Sequence, residues 1–220
     1  MHRAEPSPGD QLSGDQPSGV SSSQTDARRE AMLAAAAELI AERGFAQTRI
    51  VDVAERVGAS PALVVYYFTT KDRLLTEALR YSESAFYVAA EELLRRPASL
   101  AERLRTLVAL TFEVQSAAEA NGNWGLWFEL WAQAFRHPQV AQDRRELDDR
   151  WRGLIVRLVE VGIADGEVAE LDAEAFAVTW AALLDGLTVQ VALEDPLVPP
   201  DRAARIALAF AHRELGLSPA

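Results

Sequence analysis

Thr48, Arg49, Ser60, Tyr66, Tyr67 and Lys71 lie within one short stretch, TRIVDVAERVGASPALVVYYFTTK. Hydroxyls, a guanidinium and an ammonium are the groups that grip phosphate oxygens and fix register on a nucleic acid without reading its bases. A second concentration of chemistry is aromatic. In NWGLWFELWAQAF, Trp124, Trp127, Phe128, Trp131 and Phe135 recur at helical spacing. Such a stripe is either plain core or the flat wall of a ligand cavity, and both readings stand. Phe86, Phe112, Trp151 and Trp180 are the further candidate walls, with Gly125 and Gly153 giving room. A cation held over the tryptophan faces, with Glu129 nearby, is compatible with this chemistry.

Catalytic constellations are absent from the sequence. No Ser-His-Asp arrangement or phosphate-cradling glycine loop occurs, and His2, His137 and His212 share no metal-ligand spacing. There is no cysteine, so thiolate sites and disulfides are excluded. No enzymatic activity, metal or cofactor is expected. The adjacent acids Glu91-Glu92 and Asp148-Asp149 read as solvated helix faces, and His137, before Pro138, reads as a helix cap.

These side chains need elements to hold them, and nearly everything from Asp26 onward reads as helix. Ala27–Arg43 places Met32, Ala36, Leu39 and Ile40 on one stripe, ended by Gly44. Ile50, Val53, Ala54 and Val57 follow i, i+3, i+4, i+7, opened by Thr48 as N-cap and closed by Gly58. Ser60 caps a third helix with Pro61 at its first position, where the missing N–H costs nothing. Two short helices joined through a glycine turn are a helix-turn-helix. Its inward set is Ile50, Val53, Val57, Val64 and Phe68, with Leu39 and Phe45. That leaves Pro61, Ala62, Val65 and Tyr66 outward, and Leu63 and Tyr67 at the margin.

Thr70 or Lys71 starts a fourth helix reaching about Arg95, stopped by Pro97. Ser99 and Glu102 form a capping box for the next, which runs to about Ala120 and breaks at Asn121-Gly122-Asn123. Trp124–Phe135 is a short aromatic helix. Pro138 opens a long one, Asp172 caps another, and Asp201–Leu215 is the last. No period-two strand appears. The fold class is therefore all-α: an N-terminal three-helix DNA-binding domain with the helix-turn-helix over 26–72, and a C-terminal helical domain over 73–220. Residues 1–25, rich in Ser, Gly, Pro and Gln, read as a disordered tail.

Net charge is −11 over 220 residues, which alone argues against a general nucleic-acid binder. The acidity is uneven, however. Residues 26–73 hold seven basic and seven acidic side chains, whereas 74–220 carry a net of −9. A neutral head can still bind DNA if Arg28, Arg29, Arg49 and Lys71 gather on one face while Glu38, Glu42 and Glu55 lie elsewhere. No signal peptide is evident and no run approaches a membrane span, so a cytoplasmic protein is expected.

Gly44-Phe45, Thr48-Arg49-Ile50, Val53-Ala54, Val57-Gly58, Ser60, Tyr66-Tyr67-Phe68, Lys71 and Leu74-Leu75 together resemble the DNA-binding domain of the TetR family of transcriptional regulators, over about Arg28 to Leu79. The resemblance implies that Thr48 and Arg49 meet phosphate at the start of the second helix, and that Tyr66, Tyr67 and Lys71 occupy the family's aromatic-rich segment. Two departures stand out: Val65 replaces the first aromatic of that segment, and Tyr67 stands where His is frequent. Pro61-Ala62-Leu63 offers little hydrogen bonding, so base readout is left to Arg49, Ser60 and apolar contacts with thymine methyls. The tryptophan run is similar to the effector domain of the choline-responsive betaine-synthesis repressors, a subgroup that also contains regulators of other pathways.

The family plan implies a homodimer formed by the last two helices, in which a bound effector alters the separation of the DNA-reading heads. Ala173–Ala192 and Asp201–Leu215 do carry apolar stripes, which either join two copies or complete one core. Phe176, Leu183, Leu187, Ile206 and Phe210 are the expected interface residues. The expected function is a repressor released from a palindromic double-stranded operator by a small hydrophobic or aromatic effector. An orphan or protein-partnered regulator, and a helical carrier that no longer binds DNA, are the alternatives.

Overall fold

The computed structural model describes residues 20–96, 98–112 and 117–218. These form ten α-helices: α1 (Val20–Gln47), α2 (Ile50–Arg56), α3 (Pro61–Phe68), α4 (Lys71–Ser82), α5 (Ser84–Arg95), α6 (Leu100–Phe112), α7 (Ala117–Ala134), α8 (Pro138–Ala164), α9 (Ala173–Ala192) and α10 (Pro200–Glu214). Among the described residues there is no strand.

Several caps sit where the sequence puts them. Ser60 Oγ accepts from the Leu63 N–H, Thr70 Oγ1 from the Arg73 N–H and Asp172 Oδ1 from the Ala175 N–H. The Ser99/Glu102 capping box closes from both sides. Gly44 breaks the α1 ladder with φ 80°, a conformation that costs a residue with a Cβ but not glycine.

Three boundaries differ. Residues 20–25, read as tail, belong to α1. No Gly or Pro follows Gly19 there, and extending an existing helix is far cheaper than nucleating one. Residues 1–19 lie outside the described residues. The expected helix to Ala120 and break at 121–123 are not found: α6 is Leu100–Phe112, and Ala117–Ala120 belong to α7, which runs through Asn-Gly-Asn. The propensity cost of those residues is at most about 1 kcal/mol each, less than burying Leu126 and Leu130 returns. Finally, the run from Lys71 to Arg95 is interrupted at Glu83, which divides it into α4 and α5.

Among the described residues, three apolar clusters form the interior. The head core unites Met32, Leu39, Val53, Val64, Phe68, Leu74 and Ala78. The core of the second domain unites Leu104, Leu107, Leu154, Leu158, Trp180, Leu184 and Ala207. Between them a bridging cluster of Ile40, Phe45, Leu75, Leu79, Leu126, Leu130, Val140 and Leu147 joins α1, α4, α7 and α8. A polar clasp reinforces this bridge. Buried Asp143 of α8 accepts from Thr76 Oγ1 (3.2 Å) and Gln139 Nε2 (3.2 Å). Arg73 links Asp143 (3.7 Å) to Glu77 (2.6 Å), which also holds Arg29 of α1 (2.7 Å).

α9 is, by length and composition, long and apolar enough to cross a membrane, which corrects the expectation that no such run exists. Its single charge beyond the first turn is Asp185, and small residues fill much of the rest. Its Phe176, Trp180 and Leu184 face the protein core, as in an ordinary core helix.

α8 approaches α6 closely at Gly162. A Cβ on Gly162 would lie 2.5 Å from Leu100 Cδ2, and Leu100 is fully buried. Gly162→Ala is therefore expected to lose about 1–3 kcal/mol through overpacking. Gly125→Ala, whose Cβ meets nothing within 4 Å, is expected to hold or gain stability. Thermal unfolding of the two variants checks the contrast.

Candidate nucleic-acid interface and effector cavity

The head presents the outward face of α3 much as its spacing dictates. Pro61, Ala62, Val65 and Tyr66 are exposed, with Tyr66 the most open at 80%. Ser60 is exposed at the leading end of the helix. Tyr67 divides its roles: its ring packs edge-on to Tyr66 (5.6 Å) and against Phe68 (6.1 Å), half-buried at the margin of the head core.

Thr48 is not the N-cap of α2. It is buried, and its Oγ1 donates to the carbonyls of Leu39 (3.2 Å) and Gly44 (2.9 Å). The Thr48 backbone N–H also donates to the Gly44 carbonyl (3.3 Å), so both donors of Thr48 are used within the turn that follows Gly44. It is thereby turned away from any phosphate.

Arg49 takes the N-cap position, and its backbone N–H donates to Asp52 Oδ2 (2.9 Å). Its guanidinium also pairs with Asp52 (2.8 Å). That contact pulls the Asp52 carboxyl down to about 2 and raises Arg49, so Arg49 is a neutralised cation rather than a free one. Arg29 is likewise tied to Glu77 and lies against the Phe68 ring. Lys71 stands over the Phe45 ring at 4.2 Å, its ammonium donating to the Ala46 carbonyl (3.4 Å). Arg56 draws Glu38 and Glu42 together, which keeps those acids off the α3 face.

A cavity of about 90 Å³, partly open to solvent, lies in the second domain. Phe86, Trp124, Trp127, Trp131 and Trp151 line it, as expected. Phe112, Phe128 and Trp180 do not. Phe112 and Trp180 belong to the core, and the Trp180 indole N–H donates to the Ala207 carbonyl (3.0 Å). Phe128 instead packs against the outer ring of Trp131 (5.8 Å). The pattern of aromatic residues alone could not separate wall from filler, because both recur at helical spacing.

The polar lining was not legible in the sequence. Glu83, Asp148 and Asp185 line the cavity with Tyr87, Thr111 and Thr188. Asp148 is thus not merely part of a solvated pair: it faces inward and is held by Arg144, while Asp149 is exposed. Glu129, expected beside the rings, is not in the lining; its carboxylate sits against Gly44. Glu83 Oε1 accepts from the Trp127 indole N–H (2.6 Å), and Glu83 Oε2 is buried without a partner among the described residues. Arg150 stacks on the Tyr87 ring at 3.6 Å. His137 holds the N-cap position of α8 without capping it, and its ring meets Asp72 instead (3.3 Å).

Of the expected interface residues, Phe176 and Leu187 are buried in the chain's own core. Leu183 and Phe210 are half-buried against it, Phe210 stacking on Phe176 at 6.4 Å. Ile206 is exposed. The open face of α9 and α10 also shows Ala175, Val178, Ala182, Gly186 and Ala209, small residues that a search for large apolar side chains passes over.

Comparison with known proteins gives matches over both parts of the chain. Residues 32–78 match the bacterial regulatory proteins of the tetR family, and residues 100–216 match the C-terminal domain of BetI-type transcriptional repressors. The HTH-type transcriptional regulator BetI of Pseudomonas aeruginosa is 29% identical over 194 residues, covering 86% of this chain and 93% of that protein. BetI of Rhizobium meliloti is 28% identical over 168 residues, covering 76% and 79%. Among solved structures, a transcriptional regulator from Saccharomonospora viridis in complex with choline is 29% identical with TM-score 0.72, covering 87% of this chain and 98% of that one. A TetR-family regulator from Rhodococcus is 27% identical with TM-score 0.76, covering 86% and 99%.

Burial pushes Glu83 up to about 7 from an ordinary 4.5, against the opposing pull of the Trp127 N–H and Arg150. An acid raised on folding holds its proton in the folded chain after the unfolded chain has released it. Its effect is nil below the unfolded pKa, turns unfavourable as pH rises from there to about 7, and then levels off. Glu83→Gln is expected to match the parent in thermal melts at pH 4 and to exceed its stability by about 1–3 kcal/mol at pH 8.

Proposed function

Because this chain belongs to the TetR family of transcriptional regulators and carries a BetI-type repressor domain, we propose that it is a homodimeric repressor of a near-palindromic operator, released when a small organic cation enters the cavity. The observation that carries this reading is the cavity itself. Its flat aromatic walls suit a cation held against π-faces, its acids supply the counter-charge, and Glu83 stands where α4, the helix directly after α3, comes to its end. The choline bound by the Saccharomonospora viridis relative supports the same ligand class.

On DNA, α3 enters the major groove with Pro61, Ala62, Val65 and Tyr66 forward, and their apolar surfaces meet thymine methyls. Lys71, the Tyr66 hydroxyl and Arg28 hold phosphates. Arg49 joins them once phosphate competes with Asp52. Two copies pack through the open face of α9 and α10, where Ala175, Ala182 and Gly186 allow close helix approach and Ile206 supplies apolar area. That symmetry sets the two recognition helices about 34–36 Å apart, one turn of DNA. The setting is cytoplasmic, where operator and metabolite are both present.

The test is fluorescence anisotropy of the duplex upstream of the protein's own gene, with and without choline-like cations. Cation-driven release is expected, and a coupling of about 1–3 kcal/mol suffices to change occupancy 5–150-fold. A chain that binds no duplex at low salt, or a complex indifferent to every organic cation, refutes the reading. Lys71→Ala should weaken binding to all duplexes and lower the salt slope by about one; an unchanged slope removes Lys71 from the phosphate contacts.

A further inference from the structure

We infer that the effector carries two cationic groups joined by a short apolar chain, a diamine-type dication rather than a single ammonium; this rests on the cavity being the effector site. Three carboxylates line that cavity, and among the described residues no Lys, Arg or His does. Only Asp148 is closely answered, by Arg144 on its own helix. Glu83 and Asp185 hold the charge that remains.

These two acids enter from different walls. Glu83 heads α5 against Trp127 of α7, with Arg150 as its basic neighbour. Asp185 lies on α9 next to Asp148, with Arg144 and Arg152 near. The Tyr87 hydroxyl is close enough to feel all three carboxylates. Burial is the main influence on both acids, holding Glu83 at about 7 and Asp185 at about 6, so each is poised to ionise beside an incoming cation.

Two buried atoms independently mark the places where polar ends of a ligand would sit. Glu83 Oε2 and Thr188 Oγ1 both border the cavity without a hydrogen-bond partner among the described residues, and Thr188, 1% exposed, lies one turn from Asp185. Buried polar atoms of this kind are rare in folded proteins and need partners. A single ammonium satisfies one locus and leaves the other carboxylate desolvated. A zwitterion sets its own carboxylate against the second acid. A dication answers both, while its methylenes lie along Trp124, Trp127 and Trp151.

The experiment titrates the full-length chain with butanediamine, butylamine and choline, following tryptophan fluorescence and calorimetry, and repeats the series with Glu83→Gln and Asp185→Asn. The diamine is expected to bind at least about tenfold tighter than butylamine, since a close charge pair contributes at least that much. Either substitution should reduce that advantage to less than about twofold. A diamine no tighter than butylamine or choline overturns the dication while leaving the cavity as the site of a monocation. A diamine advantage that survives both substitutions overturns it too, because the second cation then binds elsewhere. A chain that holds DNA and binds none of the three removes this inference together with the cation reading beneath it.

Discussion

Leu74 and Leu75 are neighbours in the chain, both fully packed, and they belong to different cores. Leu74, with Ala78, closes the head beneath Phe68 and Val53. Leu75, with Leu79, fills the bridging cluster against Leu126, Leu130 and Leu147. α4 therefore cannot roll about its axis without exposing apolar surface on one side or the other, at roughly 25 cal/mol for each square ångström uncovered. The outward face of α3 and the aromatic cavity are tied together by one helix whose two faces are committed to two cores, and the Asp143 clasp fixes its rotation by directional contacts as well.

The cavity obtains its chemistry from the same architecture. Glu83 is shielded because it falls at the interruption between α4 and α5 and is covered by Trp127 from α7. A carboxylate in water has little preference for an organic cation over solvent. With desolvation on one side and indole faces around it, that preference becomes strong. The Asp148–Asp185 pair adds like-charge repulsion between α8 and α9 to the desolvation. A positive charge placed there would offset both penalties.

How much of this was readable from residue order follows from the range of each interaction. Ser60 with Pro61, Ser99 with Glu102 and Asp172 with Ala175 are contacts within a few residues, and periodicity with capping chemistry found them. The outward face of α3 was equally legible, because in a two-turn helix the spacing of Val64 and Phe68 fixes which side is buried. Thr48 was not: its partner Leu39 is nine residues away, and the Leu39 carbonyl comes within its reach only through the turn at Gly44. The acids of the cavity come from α5, α8 and α9, separated by up to a hundred residues, and a lone Glu or Asp on a helix ordinarily signals solvent. Glu129, adjacent to the rings in sequence, pointed the wrong way for the same reason, since proximity along a helix does not decide which side faces the hollow.

Between α3 and α4 only Thr69 and Thr70 intervene, and Thr69 holds φ 63°, a left-handed backbone that a β-branched residue adopts only when its surroundings insist. A two-residue joint with one residue in so rare a conformation leaves little slack, so in mechanical language α3 and α4 are set like two arms of one bracket.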